Sequence, residues 1–104
     1  MNTLDKQLDI LNQLSSIIHQ SAAAGYESAT CSFSIDGESV EEKFSFIKEG
    51  KKVSALLDDP SWLVMDLVID LNKEMKESTG GEWKCFILTL DENGKAKTHF
   101  EYPK

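Results

Sequence analysis

The residues best equipped for chemistry are Cys85 and His99, close together near the end of the chain. A thiol becomes a nucleophile when a base stands within hydrogen-bond reach. If the two segments pair as a hairpin, Cys85 faces Glu101 and Ile87 faces His99. Thiol and imidazole are then diagonal neighbours roughly 7–8 Å apart, too far for a direct bond. Gly80-Gly81 follow a helical pattern instead of opening one, so they do not cradle a phosphate or an oxyanion. The chain has no Cys-x-x-Cys and no pair of histidines at helical spacing, which argues against zinc. Asp36, Glu38, Glu41 and Glu42 crowd one turn, but without the residue order and closing glutamate of a calcium loop. The expectation is a protein with no catalytic residue, metal or cofactor. The competing reading is a small catalytic or ligand-binding domain that uses the Cys85/His99 face.

The acidic residues suggest binding instead. Eleven basic residues, all lysine, stand against eighteen acids, for a formal net charge of −7. From residue 82 onward Lys84, Lys95, Lys97 and Lys104 cancel Glu82, Asp91, Glu92 and Glu101, so the excess lies in residues 1–81. Nucleic-acid binders need a basic face, usually rich in arginine, and this composition argues against such a partner. An acidic surface favours basic partners and speeds their encounter. It also keeps a protein soluble, and charge alone does not separate the two roles. Besides the tip at Asp36, Glu38, Glu41 and Glu42, there is a ladder of Asp66, Asp70 and Glu74 at intervals of four, with Glu77 adjoining. Like charges at that spacing destabilise a helix by roughly 0.2–0.5 kcal/mol per pair, softened here only by Lys73 and Lys76. A solvated helix face and a docking face both account for the ladder, and Trp62 near its start would serve as an aromatic anchor.

These residues need elements to position them. A chain of 104 residues makes one domain, spanning 1–104. Leu4, Leu8, Leu11, Leu14 and Ile18, widened by Ile10 and Ile17, predict a helix from Thr3, as N-cap, to about Ala24, with Gly25 closing it. His19 reads as a half-exposed residue near the favourable C-terminal dipole. Ala29, Cys31, Phe33 and Ile35 alternate with small polar residues, a half-buried strand. A second strand runs from Val40 to Lys48 and a third from Lys52 to Leu57, with turns at Asp36-Gly37 and Glu49-Gly50. Asp59-Pro60 start a second helix that reaches about Ser78, with Val64, Leu67, Val68, Leu71 and Met75 inward. Trp62, Met65 and Ile69 lie beside that stripe, to pack on the first helix or to meet a partner.

The closing stretch from Gly81 to Tyr102 is the strongest pattern. Its apolar residues share one face only if Leu90 opposes Ala96, Leu88 opposes Thr98 and Phe86 opposes Phe100. That register requires a three-residue loop, Glu92-Asn93-Gly94, with Gly94 left-handed. A two-residue Asn93-Gly94 turn would send Leu88 and Phe86 against His99 and Glu101. The expected fold is α+β, in the order α-β-β-β-α-β-β, with two helices packed on one face of a mainly antiparallel five-stranded sheet. No apolar run approaches a membrane span, and the start lacks the basic and apolar blocks of a signal peptide. A cytoplasmic location with Cys31 and Cys85 reduced is expected.

Glu82-Trp83, Leu88-Thr89-Leu90, Asn93-Gly94-Lys95 and Phe100-Glu101-Tyr102 resemble the closing hairpin of the YezG-type immunity or antitoxin family. The element order resembles that family along most of the chain, while the motif covers the last fifth. The resemblance implies a cytoplasmic bacterial protein that neutralises a polymorphic toxin, commonly a nuclease delivered by a neighbouring cell, as in contact-dependent growth inhibition. It implies no catalysis. An acidic domain suits such a partner, because a nuclease active site is lined with cations. Asp36, Glu38, Glu41, Glu42, Trp62, Asp66, Asp70, Glu74 and Glu77 are then the candidate partner-binding residues.

Overall fold

A computed structural model describes residues 3–36, 39–57, 61–81 and 83–102, leaving aside the side chains of Thr3, Leu4, Asp36, Ser61, Trp62, Ser78 and Thr79. Its elements run α1 (Thr3–Ser21), β1 (Ser28–Asp36), β2 (Ser39–Lys48), β3 (Lys51–Ala55), α2 (Ser61–Thr79), β4 (Cys85–Asp91) and β5 (Ala96–Glu101). The five strands form one antiparallel sheet in the order β3-β2-β1-β4-β5. Both helices pack on one face, α1 over β1 and β4, α2 over β2. This is the expected α+β architecture.

Alternation in the strands sets the two faces. Ala29, Cys31 and Phe33 of β1, Phe44 and Phe46 of β2, and Phe86, Leu88 and Leu90 of β4 are buried beneath the helices. Their neighbours in sequence form the open face, a grid of hydroxyls and charges that includes Thr30, Ser32, Ser45, Ser54 and Thr89. Across the buried face, Phe33, Phe86 and Phe100 are register partners in one row. Phe33 stacks on Phe86 with centroids 5.4 Å apart, and Phe86 on Phe100 at 5.0 Å. Trp83, fully buried, tilts onto Phe86 and Phe100 at 5.6 and 5.5 Å, so the tryptophan that precedes β4 closes the core at that corner.

The hairpin has the expected register, with Leu90 opposite Ala96, Leu88 opposite Thr98 and Phe86 opposite Phe100. Gly94 has φ +79°, the left-handed conformation the loop requires. Asp91 fastens the turn: its Oδ1 accepts hydrogen bonds of 2.9 Å from the backbone N–H groups of both Asn93 and Lys95. The β2–β3 turn is tighter. Glu49 and Gly50 both have positive φ, 53° and 73°, the pattern of a two-residue turn that matches strand twist. The Asp36-Gly37 turn expected between β1 and β2 and the Asp59-Pro60 helix start fall on or beside residues outside those described.

Two details of α1 depart from expectation. The helix ends at Ser21 and not near Ala24, so Gly25, at φ +83°, shapes a turn beyond it instead of capping it. Ala22, Ala23 and Ala24 bury little area, whereas leaving the helix lets Tyr26 enter the core, where it is 5 % exposed. The buried stripe is Ile10, Leu14, Ile17 and Ile18, with Leu11 at its margin. Leu8, expected inward, is 50 % exposed, because the stripe is centred on the isoleucines. In α2, Val64, Leu67, Val68 and Leu71 are buried as expected, and Met75 is partly so. Gly80, at φ +77°, terminates that helix and donates its N–H to the Lys76 carbonyl at 2.8 Å.

Candidate partner-binding surfaces

The acidic ladder lies on α2 where it faces solvent and, at one end, α1. Asp66, Asp70 and Glu77 are exposed and Glu74 is half-buried. The ladder is less unopposed than its own helix suggests. Lys6 of α1 reaches Glu74, Nζ to Oε1, at 2.9 Å, and Gln7 donates its side-chain N–H to the Glu74 backbone carbonyl at 3.4 Å. The lysine is held above its ordinary pKa first by the hydrogen bond and charge of Glu74, and further by Asp70 and Glu77. The helix pair thus places a cation of one helix against the like-charged row of the other. A pairing across 68 positions of sequence leaves no mark in local spacing, so Lys6 could not be read as part of this surface.

Beside the ladder, Met65 and Ile69 are half-buried, an intermediate between the packed and the exposed placement of that apolar edge. The Trp62 side chain, the proposed anchor, lies outside the described residues.

Where it is described, the acidic tip is divided between the two faces of the sheet. The β1–β2 register places Glu41 opposite Ser34 on the open face and Glu42 opposite Phe33 on the helix-facing side. Glu41 is exposed. Glu42 is half-buried at the end of the aromatic row of Phe33, Phe86 and Phe100, and burial raises its carboxyl above the ordinary carboxylate value. Glu38 lies outside the described residues, and Asp36 is placed by its backbone alone at the end of β1.

The Cys85/His99 face has the register anticipated for it, Cys85 opposite Glu101 and Ile87 opposite His99. Each polar group there has another neighbour. The Ser34 hydroxyl lies 3.8 Å from the Cys85 sulfur, and His99 Nε2 lies 3.7 Å from Glu101 Oε1. Both contacts are long, and none joins thiol to imidazole.

One polar pair leaves no mark in the sequence pattern. His19 Nδ1 and the Tyr26 hydroxyl are hydrogen-bonded at 2.8 Å across the end of α1, with the rings edge to face. His19 is exposed, and the phenol is pushed above its ordinary pKa by burial and by Asp91. The pair borders an open cleft of about 440 Å³ shared with Gly25 and Glu92. Its contact closes a seven-residue interval through a non-helical turn, so helical periodicity carried no signal of it.

Among the described residues no three or more His, Cys, Asp or Glu side chains are grouped to hold a metal ion. Among them, too, no helix is long and apolar enough to cross a membrane. Compared with protein-family models and with curated proteins, the chain finds no match.

Proposed function

We propose that this chain is an immunity protein, or antitoxin, that binds a basic protein toxin in the cytoplasm and neutralises it by covering its cationic active site. The toxin chemistry this suits best is that of a nuclease, whose phosphate-binding lysines and arginines would meet carboxylates in place of nucleic acid. The observation that carries the reading is the solvent-facing acidic row of Asp66, Asp70 and Glu77 on α2, opposed from the neighbouring helix by Lys6. A rigid helix pair that holds carboxylates in a row favours encounter with a cation-lined cleft and suppresses wrong partners. The likeness of the closing hairpin to the YezG-type family points the same way. In this reading exposed Glu41, on the open face, is a secondary contact, to which Asp36, Glu38 and Glu42 add charge by their nearness in sequence, and the protein performs no catalysis.

The test is co-expression with the product of a directly adjacent toxin gene. A complex that survives purification, with protection of cells that make the toxin, is the expected result. Failure to bind that product, or turnover of a substrate that Cys85→Ser or His99→Ala abolishes, would move the catalytic reading of the hairpin face ahead.

A further inference from the structure

The sheet ends in two unlike edges. β3 is five residues long and opens with Lys51 and Lys52, with no acid along it. A second β3 laid against it would find no opposite charge, which is a common way of keeping an edge unpaired. β5 is built differently. Lys97, His99 and Glu101 follow one another along the open face, while Ala96, Thr98 and Phe100 lie on the helix-facing side. Residues 96–99 are all exposed.

The backbone of β5 is already half used. Lys84 donates its N–H to the Glu101 carbonyl at 2.8 Å, and Asp91 donates its N–H to the Lys95 carbonyl at 3.0 Å. Odd-numbered residues of β5 therefore turn their backbone groups toward β4, and by alternation Ala96, Thr98 and Phe100 turn theirs outward. An added antiparallel strand must bond to those three. If the strand is a second β5, its own outward groups are the same three, and only a few registers satisfy both copies. The register centred on Thr98 opposes Lys97 to His99. The register centred on His99 opposes each Lys97 to Glu101 of the other copy, Thr98 to Phe100 and Ala96 to Tyr102.

We propose that β5 is a dimerisation edge, pairing antiparallel with β5 of a second copy of this chain with His99 on the two-fold axis. Two Lys97–Glu101 ion pairs then flank the axis on the open face. Just past the strand end, Tyr102, 50 % exposed in the single chain, is the residue this register brings to Ala96 of the second copy, near the half-buried Phe100. Neither helix makes its main contacts with β5, so the second copy approaches without displacing them. Two five-stranded sheets become one of ten strands, with all helices on one side. The proposal stands apart from the toxin-binding reading and is tested on the full chain alone.

The experiment is sedimentation equilibrium at low salt, up to millimolar concentration. The wild-type chain should be a monomer–dimer mixture. Lys97→Glu and Glu101→Lys should each raise the dimer Kd by about tenfold, since each turns two attractive pairs into repulsive ones. The double variant, with the charges exchanged, should return near the wild-type Kd, a rescue that a merely structural role for either residue does not produce. Thr98→Pro should be monomeric with a native circular dichroism spectrum, because it removes only an outward N–H. If Thr98→Pro fails to fold, the charge-exchange series decides by itself. A wild-type chain that stays monomeric, a dimer indifferent to these changes, or a double variant weaker than either single one overturns the proposal.

Discussion

The two cysteines show how one residue type is given two characters by strand parity. Cys31 is fully buried in the central strand beneath the helices, where burial pushes its thiol up to about 12 from an ordinary 9.0. Cys85 lies half-buried on the opposite face, near Ser34. The thiolate is the reactive form, so both access and ionisation protect Cys31. In native protein at pH 8, a thiol reagent should consume one equivalent, and that equivalent should vanish in Cys85→Ser. The second should appear only in denaturant. Rapid modification of Cys31 under native conditions would mean that β1 opens locally. Which cysteine faces inward was legible, because alternation of Ala29, Cys31 and Phe33 is a local pattern. The contact of Lys6 with Glu74 was not, because it depends on how two helices cross.

At the scale of elements, the closing hairpin was legible in full, register and loop alike. Its two apolar rows coincide in only one alignment, and that alignment leaves room for only one loop. The end of α1 was not legible, because three alanines favour helix locally, while burial of Tyr26 is a tertiary gain. The hairpin's turn offers a sharp test. A Cβ at Gly94 would meet no atom within 4 Å, so any cost of substitution there comes from backbone conformation and not from crowding. At φ +79°, Gly94→Val should cost about 1–3 kcal/mol. At roughly 4–8 °C per kcal/mol in a domain of this size, the loss is plain in a thermal melt. Gly94→Asn should keep most of the stability, because asparagine tolerates the left-handed region. Equal losses for Val and Asn would show that something other than φ governs the turn.

Across the whole molecule the charges are layered. Among the described residues the helix layer has an acidic excess, with exposed Asp5, Asp9, Asp66, Asp70 and Glu77 against Lys6, Lys73 and Lys76, whereas the open sheet face mixes Lys43, Lys52, Lys97 and His99 with Glu41 and Glu101. A basic partner steered by the field of the molecule should therefore arrive on the helix side. Asp66→Lys together with Asp70→Lys removes the centre of that field. Association with the proposed toxin should slow by about tenfold at low salt, and its dependence on ionic strength should flatten, since steering is screened over roughly 10 Å at 0.1 M. Stability should barely move. Alternating signs along α2 help the helix by a few tenths of a kcal/mol, but a lysine at position 70 is brought into the field of Lys6, which opposes that gain. A change within about 0.5 kcal/mol is expected, as for most surface substitutions. Reversing Glu41 and Glu42 separates the faces: Glu41 stands on the open side, Glu42 at the rim of the core. Stopped-flow binding at two salt concentrations, beside thermal melts of each variant, reads both quantities. If neither pair of reversals alters the association rate, the acidic layer serves solvation alone, and the proposed partner is held elsewhere through an apolar contact.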